Sequence, residues 1–492
     1  MTRGRLSLLP LVLVLVPALL AQEDADEQAR RLLEGGRAYR AQGKLKQALD
    51  NFNIIVTSFP GSNSIGQALL EIGRYRMEVD GDAEKARSSF EQVAKQYPQS
   101  DGAPGAYYYL GLLTLGGATT AADLDDALAQ FTRVRNLYPK SDWVPRALQA
   151  SGLVHRRAGR FGEAVDVNRR VSLEYPNSEA APAAQFEIGH ALALTAEPYQ
   201  AMEEFQQVRN RFPESEWAAR ALERITALYR LHGTGKPTFT LDPGFAAGAG
   251  DLLKDVRAIL MAPSGALWIA SDKTKSVVPI DPAGKMGASF AGADLRALSL
   301  GPKLELVVAA KTAVRFGPRD IRSFAIPSDK PGVPESLERI LSCTVTPGGS
   351  VLVADEKKKK VYRYDAAFEY KGLFPERDPK ERKVTRMLVD GEGGIVFLDE
   401  DEKTVRVFDE TGKVLRTIGP GGLRKPADVA VDPFRNTYVA DEEAGVLVFN
   451  PQGQLLATLA AAELRRPKAL TLDATGAVLV YDDRAGKILR FR

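Results

Sequence analysis

The chain has 492 residues, 44% hydrophobic and 26% charged, with 66 basic and 63 acidic side chains and a formal net charge of +3. That length calls for more than one hydrophobic core. The near balance of charge excludes whole-chain electrostatic binding to nucleic acid or membrane and leaves only local patches to examine. Cys343 is the only cysteine, so no internal disulfide braces the fold, and this residue reads as a small buried hydrophobe.

The first twenty-one residues differ in character from the rest of the chain. Arg3 and Arg5 precede an apolar run over 6–20 that includes Pro10 and Pro17; Ala21 then leads into Gln22-Glu23-Asp24. Such a run is short for a bilayer span of about 20 residues and matches a secretory leader over 1–21, cut after Ala21. Leu19 is larger than the small residue usual three positions before the cut, which keeps an uncleaved membrane anchor as the alternative. The expectation is export, to a periplasmic or extracellular location.

Helical periodicity runs over 22–231 and contains one element five times: Phe59-Pro60-Gly61-Ser62, Tyr97-Pro98-Gln99-Ser100, Tyr138-Pro139-Lys140-Ser141, Tyr175-Pro176-Asn177-Ser178 and Phe212-Pro213-Glu214-Ser215. Proline cannot continue the apolar-periodic helix before it, so each copy ends one helix and sets up the next. Upstream of each copy the spacing is that of a helix pair. In the first unit Leu32, Gly36 and Tyr39 share one face, Gly43 makes the turn, and Ala48, Phe52 and Ile55 line the second helix. Gly36 and Ala48 let the two helices approach, and Phe52 fills the space beside them. Gly152/Ala164 and Gly189/Ala201 repeat that spacing, Gly73/Ala86 and Gly111/Ala127 carry insertions, and a helix over 217–231 caps the stack.

These residues resemble the tetratricopeptide repeat in its Tyr-Pro-x-Ser variety, known from periplasmic proteins of outer-membrane assembly and envelope coordination. The resemblance implies an α-solenoid whose groove holds peptides or partner proteins. With the unit glycines as common anchors, the first helices should turn Arg30, Arg37, Arg40, Arg74, Arg146, Arg156 and Arg157 toward the concave side, together with Tyr108, Phe186 and His190. Guanidinium groups there suit an acidic segment or a chain-terminal carboxylate. Partner-binding residues are therefore expected at Arg37, Arg40, Arg74, Tyr108, Arg146, Arg156 and Phe186. His155 is expected to pack between helices, and His232 to cap the last one.

Residues 232–237 read as a linker, and helical periodicity does not return after it. Over 238–492 short apolar strands recur with a period near 42, marked by turns at Gly265, Pro302, Gly349, Gly394, Asn436 and Gly476. Each unit reads strand, turn, strand, Asp-containing turn, strand, and most add a fourth strand. That pattern defines a six-bladed β-propeller. Its clearest copies, such as Val351–Asp355 leading to Val361-Tyr362-Arg363-Tyr364-Asp365, resemble the NHL repeat; the unit around 295–326 lacks the Ala-Asp turn. The chain ends three strands into its last unit. The alternation over 238–241 is therefore expected to pair with the C-terminal strand and close the ring.

Some six-bladed propellers are metal-dependent hydrolases or lyases, whose sites need His, Asn and carboxylates converging on the central channel. Here His155, His190 and His232 all precede the propeller, and its asparagines are Asn436 and Asn450. No catalytic residue, metal or cofactor is expected. Asp272, Asp355, Asp399, Asp441 and Asp482 recur after the second strand, where a short carboxylate accepts hydrogen bonds from the turn backbone. The lysine run 357–360, with Lys371, Arg377, Lys380, Arg382 and Lys383, reads as solvated turns without an aromatic platform for nucleic acid; the alternative is a surface for anionic lipid headgroups or an acidic partner. The expectation is a multidomain chain, α then β. It would be an exported, non-enzymatic scaffold for proteins or peptides, acidic ones included, associated with the envelope or cell wall and not with nucleic acid. A propeller hydrolase or lyase using a divalent metal, and a cell-wall or glycan binder, are the alternatives.

Overall fold

The computed structural model describes residues 12–242, 245, 247–317, 319–328, 333–376, 381–459 and 464–492. Residues 1–11 of the expected leader lie outside that set. Among the described residues no helix is long and apolar enough to cross a membrane. The chain forms two compact units. The first comprises the chain up to Gly117 with Ala121–Val154 and Asn177–Ala180; the second comprises Ala118–Thr120, His155–Pro176 and Ala181–Arg492.

Among the described residues the helices are α1 Val12–Ala41, α2 Leu45–Ser58, α3 Ile65–Glu78, α4 Ala83–Gln96, α5 Ala103–Gly116, α6 Ala121–Leu137, α7 Val144–Arg157, α8 Phe161–Glu174, α9 Ala181–Leu194, α10 Pro198–Arg211 and α11 Glu216–His232. The glycine–phenylalanine pairing read from the sequence is the packing rule of the stack. A Cβ on Gly36, Gly73 or Gly111 would collide with the ring of Phe52, Phe90 or Phe131, and one on Gly189 would sit 3.0 Å from the Phe205 ring. These phenylalanines are 0–2% exposed, so each glycine opens the space that a buried ring fills. In the fourth repeat Asn168 takes the phenylalanine's place in the sequence; it is fully buried and donates from Nδ2 to the Ala164 carbonyl at 2.8 Å.

The Tyr-Pro-x-Ser element is a built turn. Its aromatic residue gives the last helical hydrogen bond: Tyr97 N–H donates to the Val93 carbonyl at 2.9 Å and Phe212 N–H to Val208 at 2.9 Å. The serine N–H then returns to the aromatic carbonyl, as from Ser100 to Tyr97 at 3.0 Å. Ser100 Oγ and Ser215 Oγ donate to the same carbonyls at 2.7 Å. Carbonyls left over at a helix end are thereby satisfied by the adjoining turn.

Among the described residues six four-stranded antiparallel sheets make the propeller, five of them in sequence order. Their innermost strands are Val256–Met261, Leu295–Leu300, Ile340–Val345, Val384–Val389, Pro426–Val431 and Pro467–Leu472, blades one to six. Each innermost strand breaks register near its start. A separate hydrophobic cluster fills each of the six inter-blade gaps, including that between blades six and one, where Ile259 and Ile269 meet Leu479 and Tyr481. Ring closure agrees with the sequence expectation. Leu241 pairs with Phe491 and Asp242 with Arg490, and Thr240 exchanges backbone hydrogen bonds with Arg492 at 2.6 and 2.9 Å. The strand from the start of the propeller is thus the outer strand of its last blade.

Candidate functional site

In the first unit, α1, α3 and the start of α5 wall a cleft of about 650 Å³, together with the second and third Tyr-Pro-x-Ser turns. Leu70, Pro104, Leu137, Tyr138, Pro139 and Trp143 give it apolar surface; Arg37, Lys140, Glu71, Asp101 and Asp142 give it charge of both signs. Tyr138 is fixed by its hydroxyl, which donates to the Pro98 carbonyl at 2.8 Å and so ties one turn to the next. The Trp143 ring lies tilted against Tyr108 and edge-on to Tyr109, with centroids 5.3 and 5.6 Å apart. Burial pushes the Tyr109 hydroxyl up to about 12.

Of the arginines expected to line a groove, Arg37 lines this cleft. Arg40 and Arg74 grip the buried Glu71 carboxylate at 2.9 and 3.2 Å, and both also meet Glu78. Arg37 reaches Glu71 at only 3.8 Å and stays half exposed. Arg146 lies over the Trp143 ring at 4.9 Å and pairs with Glu179. Arg30 pairs with Glu27 and Glu34 on its own helix. A wall of free guanidinium groups is therefore replaced by a mixed-charge wall in which Arg37 and Lys140 are the cations facing the cleft. Glu71 sits three residues before Arg74, a spacing that could have flagged the pair.

In the second unit, α9 and α11 rest on the turns joining the first and second strands of blades four, five and six. Arg156 is 8% exposed; its Nε donates to Glu187 at 2.7 Å, and its Nη1 pairs with Glu392 of blade four. His190 Nε2 donates to the Pro433 carbonyl at 3.1 Å, and its ring stands edge-on to Phe186 and Phe434. Phe186 is 2% exposed among Phe205, Trp217 and His190. Arg230 donates to the Thr475 carbonyl at 2.5 Å, and Leu231 joins the core between blades five and six. Arg156 and Phe186, expected to line an open groove, are instead sealed in this seam. In the last repeats the face on which they were expected is covered by propeller turns. Burial, and then the Arg156 guanidinium, hold His190 well below its ordinary range.

The recurring propeller aspartates do what turn chemistry requires. Asp355 Oδ1 accepts from Lys358 N–H at 2.7 Å and Asp399 Oδ1 from Glu402 N–H at 3.0 Å. Asp441 and Asp482 additionally accept two backbone N–H groups from the connection between blades. Asp272 differs, accepting from Leu295 N–H and Arg257. In the lysine run, Lys358 pairs with Glu335 and Lys359 with Asp401, while Lys371 pairs with Asp365; Arg377 and Lys380 lie outside the described residues. Among the described residues no group of three or more His, Cys, Asp or Glu is placed to hold a metal ion. Cys343 is buried in blade three, and burial raises its thiol far above the usual range.

The tetratricopeptide repeat family matches residues 25–62 and 67–100. No curated protein matches the chain. Similar solved structures include virginiamycin B lyase from Staphylococcus aureus, in a selenomethionine form and as a catalytically inactive variant with quinupristin. Each is 14% identical and covers 51% of this chain and 85% of that one, with a TM-score of 0.39. A streptogramin B lyase structure is 10% identical over 52% of this chain and 97% of its own, with a TM-score of 0.38. The chain thus joins tetratricopeptide-type helices to a six-bladed propeller.

Proposed function

We propose that the protein is an exported, non-enzymatic scaffold whose helical cleft takes an extended peptide segment of one partner while the propeller serves a second. The cleft lined by two consecutive Tyr-Pro-x-Ser turns carries this reading. Its walls are held by a hydrogen bond between turns and by packed rings, so little ordering is needed on binding. The preference for acidic partners narrows accordingly: one anionic group of the peptide meets Arg37 and Lys140, and apolar residues beside it meet Leu137 and Trp143. The leader pattern over 1–21 supports export. The propeller aspartates, used up on turn backbone, support a binding role rather than a catalytic one.

Trp143 is a built-in reporter for the test. Peptides carrying an acidic residue next to apolar ones should change its fluorescence on titration with the intact chain. Arg37→Ala combined with Lys140→Ala should weaken their binding about tenfold, as expected for losing about one charge-assisted hydrogen bond. Peptides that bind both proteins equally, or leave Trp143 unperturbed, refute the cleft as the site.

A further inference from the structure

On the side of the ring bearing the turns between first and second strands, blades four to six are taken up by α9 and α11. The opposite side carries its own regularity. In all six blades the residue opening the second-to-third-strand turn donates its N–H to the carbonyl just before the innermost strand. The pairs are 272 to 255, 311 to 294, 356 to 339, 400 to 383, 442 to 425 and 483 to 466, at 2.8–3.1 Å. The constant 17-residue span places these turns at equivalent positions around one face. In blades four to six the two residues are also basic and acidic, and they close ion pairs: Lys383–Glu400, Lys425–Glu442 and Arg466–Asp483.

Once those pairs are set aside, Lys273, Lys275, Lys311, Lys357, Arg465 and Arg484 make no ion pair among the described residues. They lie along the contiguous arc of blades six, one, two and three. The carboxylates of that arc that also lack an ion pair are Asp294, Glu338, Asp355, Glu356 and Asp482; Asp355 and Asp482 are buried on turn backbone N–H groups, so the cations outnumber the carboxylates left facing solvent. We propose that this arc is a docking surface for an anionic lipid bilayer. The second-to-third-strand turns are tight, as at 272–275 and 483–486. The cations of the arc are spread over four blades instead of converging on a pocket. A planar array of phosphates meets such a surface better than a compact ligand does, and each lysine or arginine near it strengthens binding about fivefold. This role goes beyond the peptide cleft and stands without it.

Co-sedimentation of the intact chain with phosphatidylglycerol-rich and phosphatidylcholine vesicles tests it. Binding should require the anionic lipid and fall with added salt. The triple variant Lys273→Glu, Lys311→Glu, Lys357→Glu should bind well over about a hundredfold more weakly, whereas Lys46→Glu on α2 should leave binding unchanged. If the triple variant melts early, the neutral set Lys273→Gln, Lys311→Gln, Lys357→Gln takes its place, with a smaller loss expected. No binding to anionic vesicles, equal binding to neutral ones, or binding that survives both salt and charge removal overturns the proposal. So does capture of an acidic protein with lipid ignored.

Discussion

Replacing Arg156 with methionine would strip the shared partner from two carboxylates that are themselves almost sealed, Glu187 and Glu392, with side chains 9% and 6% exposed. Breaking a buried pair from one side costs about 3–5 kcal/mol, because the remaining charge is left uncompensated. The Arg157 guanidinium also acts on Glu392, which places the loss near the lower bound, about 3 kcal/mol. At about 2 °C per kcal/mol for a large unit, the melting temperature should fall by roughly 6 °C. Trp217 on α11 and Trp268 in blade one report from opposite parts of the same compact unit. Guanidinium unfolding followed by fluorescence and far-ultraviolet dichroism should therefore show both moving together. The triple variant Arg156→Met, Glu187→Gln, Glu392→Gln should recover most of the loss, since it leaves no orphaned charge. A loss below about 1 kcal/mol would mean that the pair behaves as an exposed one, and a triple variant no better than the single would remove the electrostatic explanation altogether.

Gly73→Ala should destabilise the first unit by about 1–3 kcal/mol through overpacking against Phe90, and adding Phe90→Leu should restore part of it in thermal denaturation. Thr240→Pro removes the N–H that meets the Arg492 carbonyl and should cost about 1–3 kcal/mol, with faster proteolysis at the C-terminus; unchanged proteolysis would mean that closure does not rest on this strand. His190 and Asp432, a buried carboxylate in the blade-five turn that accepts from the Phe434 and Asn436 N–H groups, act on stability in opposite senses. His190, held low by burial and then by Arg156, stays neutral in the fold while the unfolded chain protonates near pH 6.5. Its contribution is complete above that pH and is lost as pH falls below it. Burial pushes Asp432 up to about 6, so the fold takes that proton first and stability rises as pH falls from about 6 to about 4. In His190→Phe only the second slope remains, and the pH of maximum melting temperature should move down; an unmoved maximum contradicts the assignment.

Repeat architecture was open to reading because it is written in local rules. Proline ends helices wherever it falls, glycine marks close approach, and strand alternation announces a half-buried sheet. Even the pairing of 238–241 with the C-terminal strand came from counting strands in the last unit. Blade two, with Lys311 where other blades carry an acid, was harder to see; its 17-residue backbone span shows that it has the same geometry without the same side chain. The cleft was half legible. Arg37 lines it, and Glu71 and Glu78 stand at helical spacing from Arg74, but the pairing of Glu78 with Arg40 and of Glu179 with Arg146 joins positions that no short-range pattern links.

The order of elements, the number of repeats and the residues that must be small or buried were determined by the sequence, since each depends on chemistry within about forty residues. Which charged faces stay open was decided only by the tertiary structure. Arg156 and Glu392 are 236 positions apart, and their meeting depends on where a propeller turn arrives once the ring has closed. A side chain's local spacing sets the direction it points; whether water or a carboxylate waits there depends on the rest of the chain.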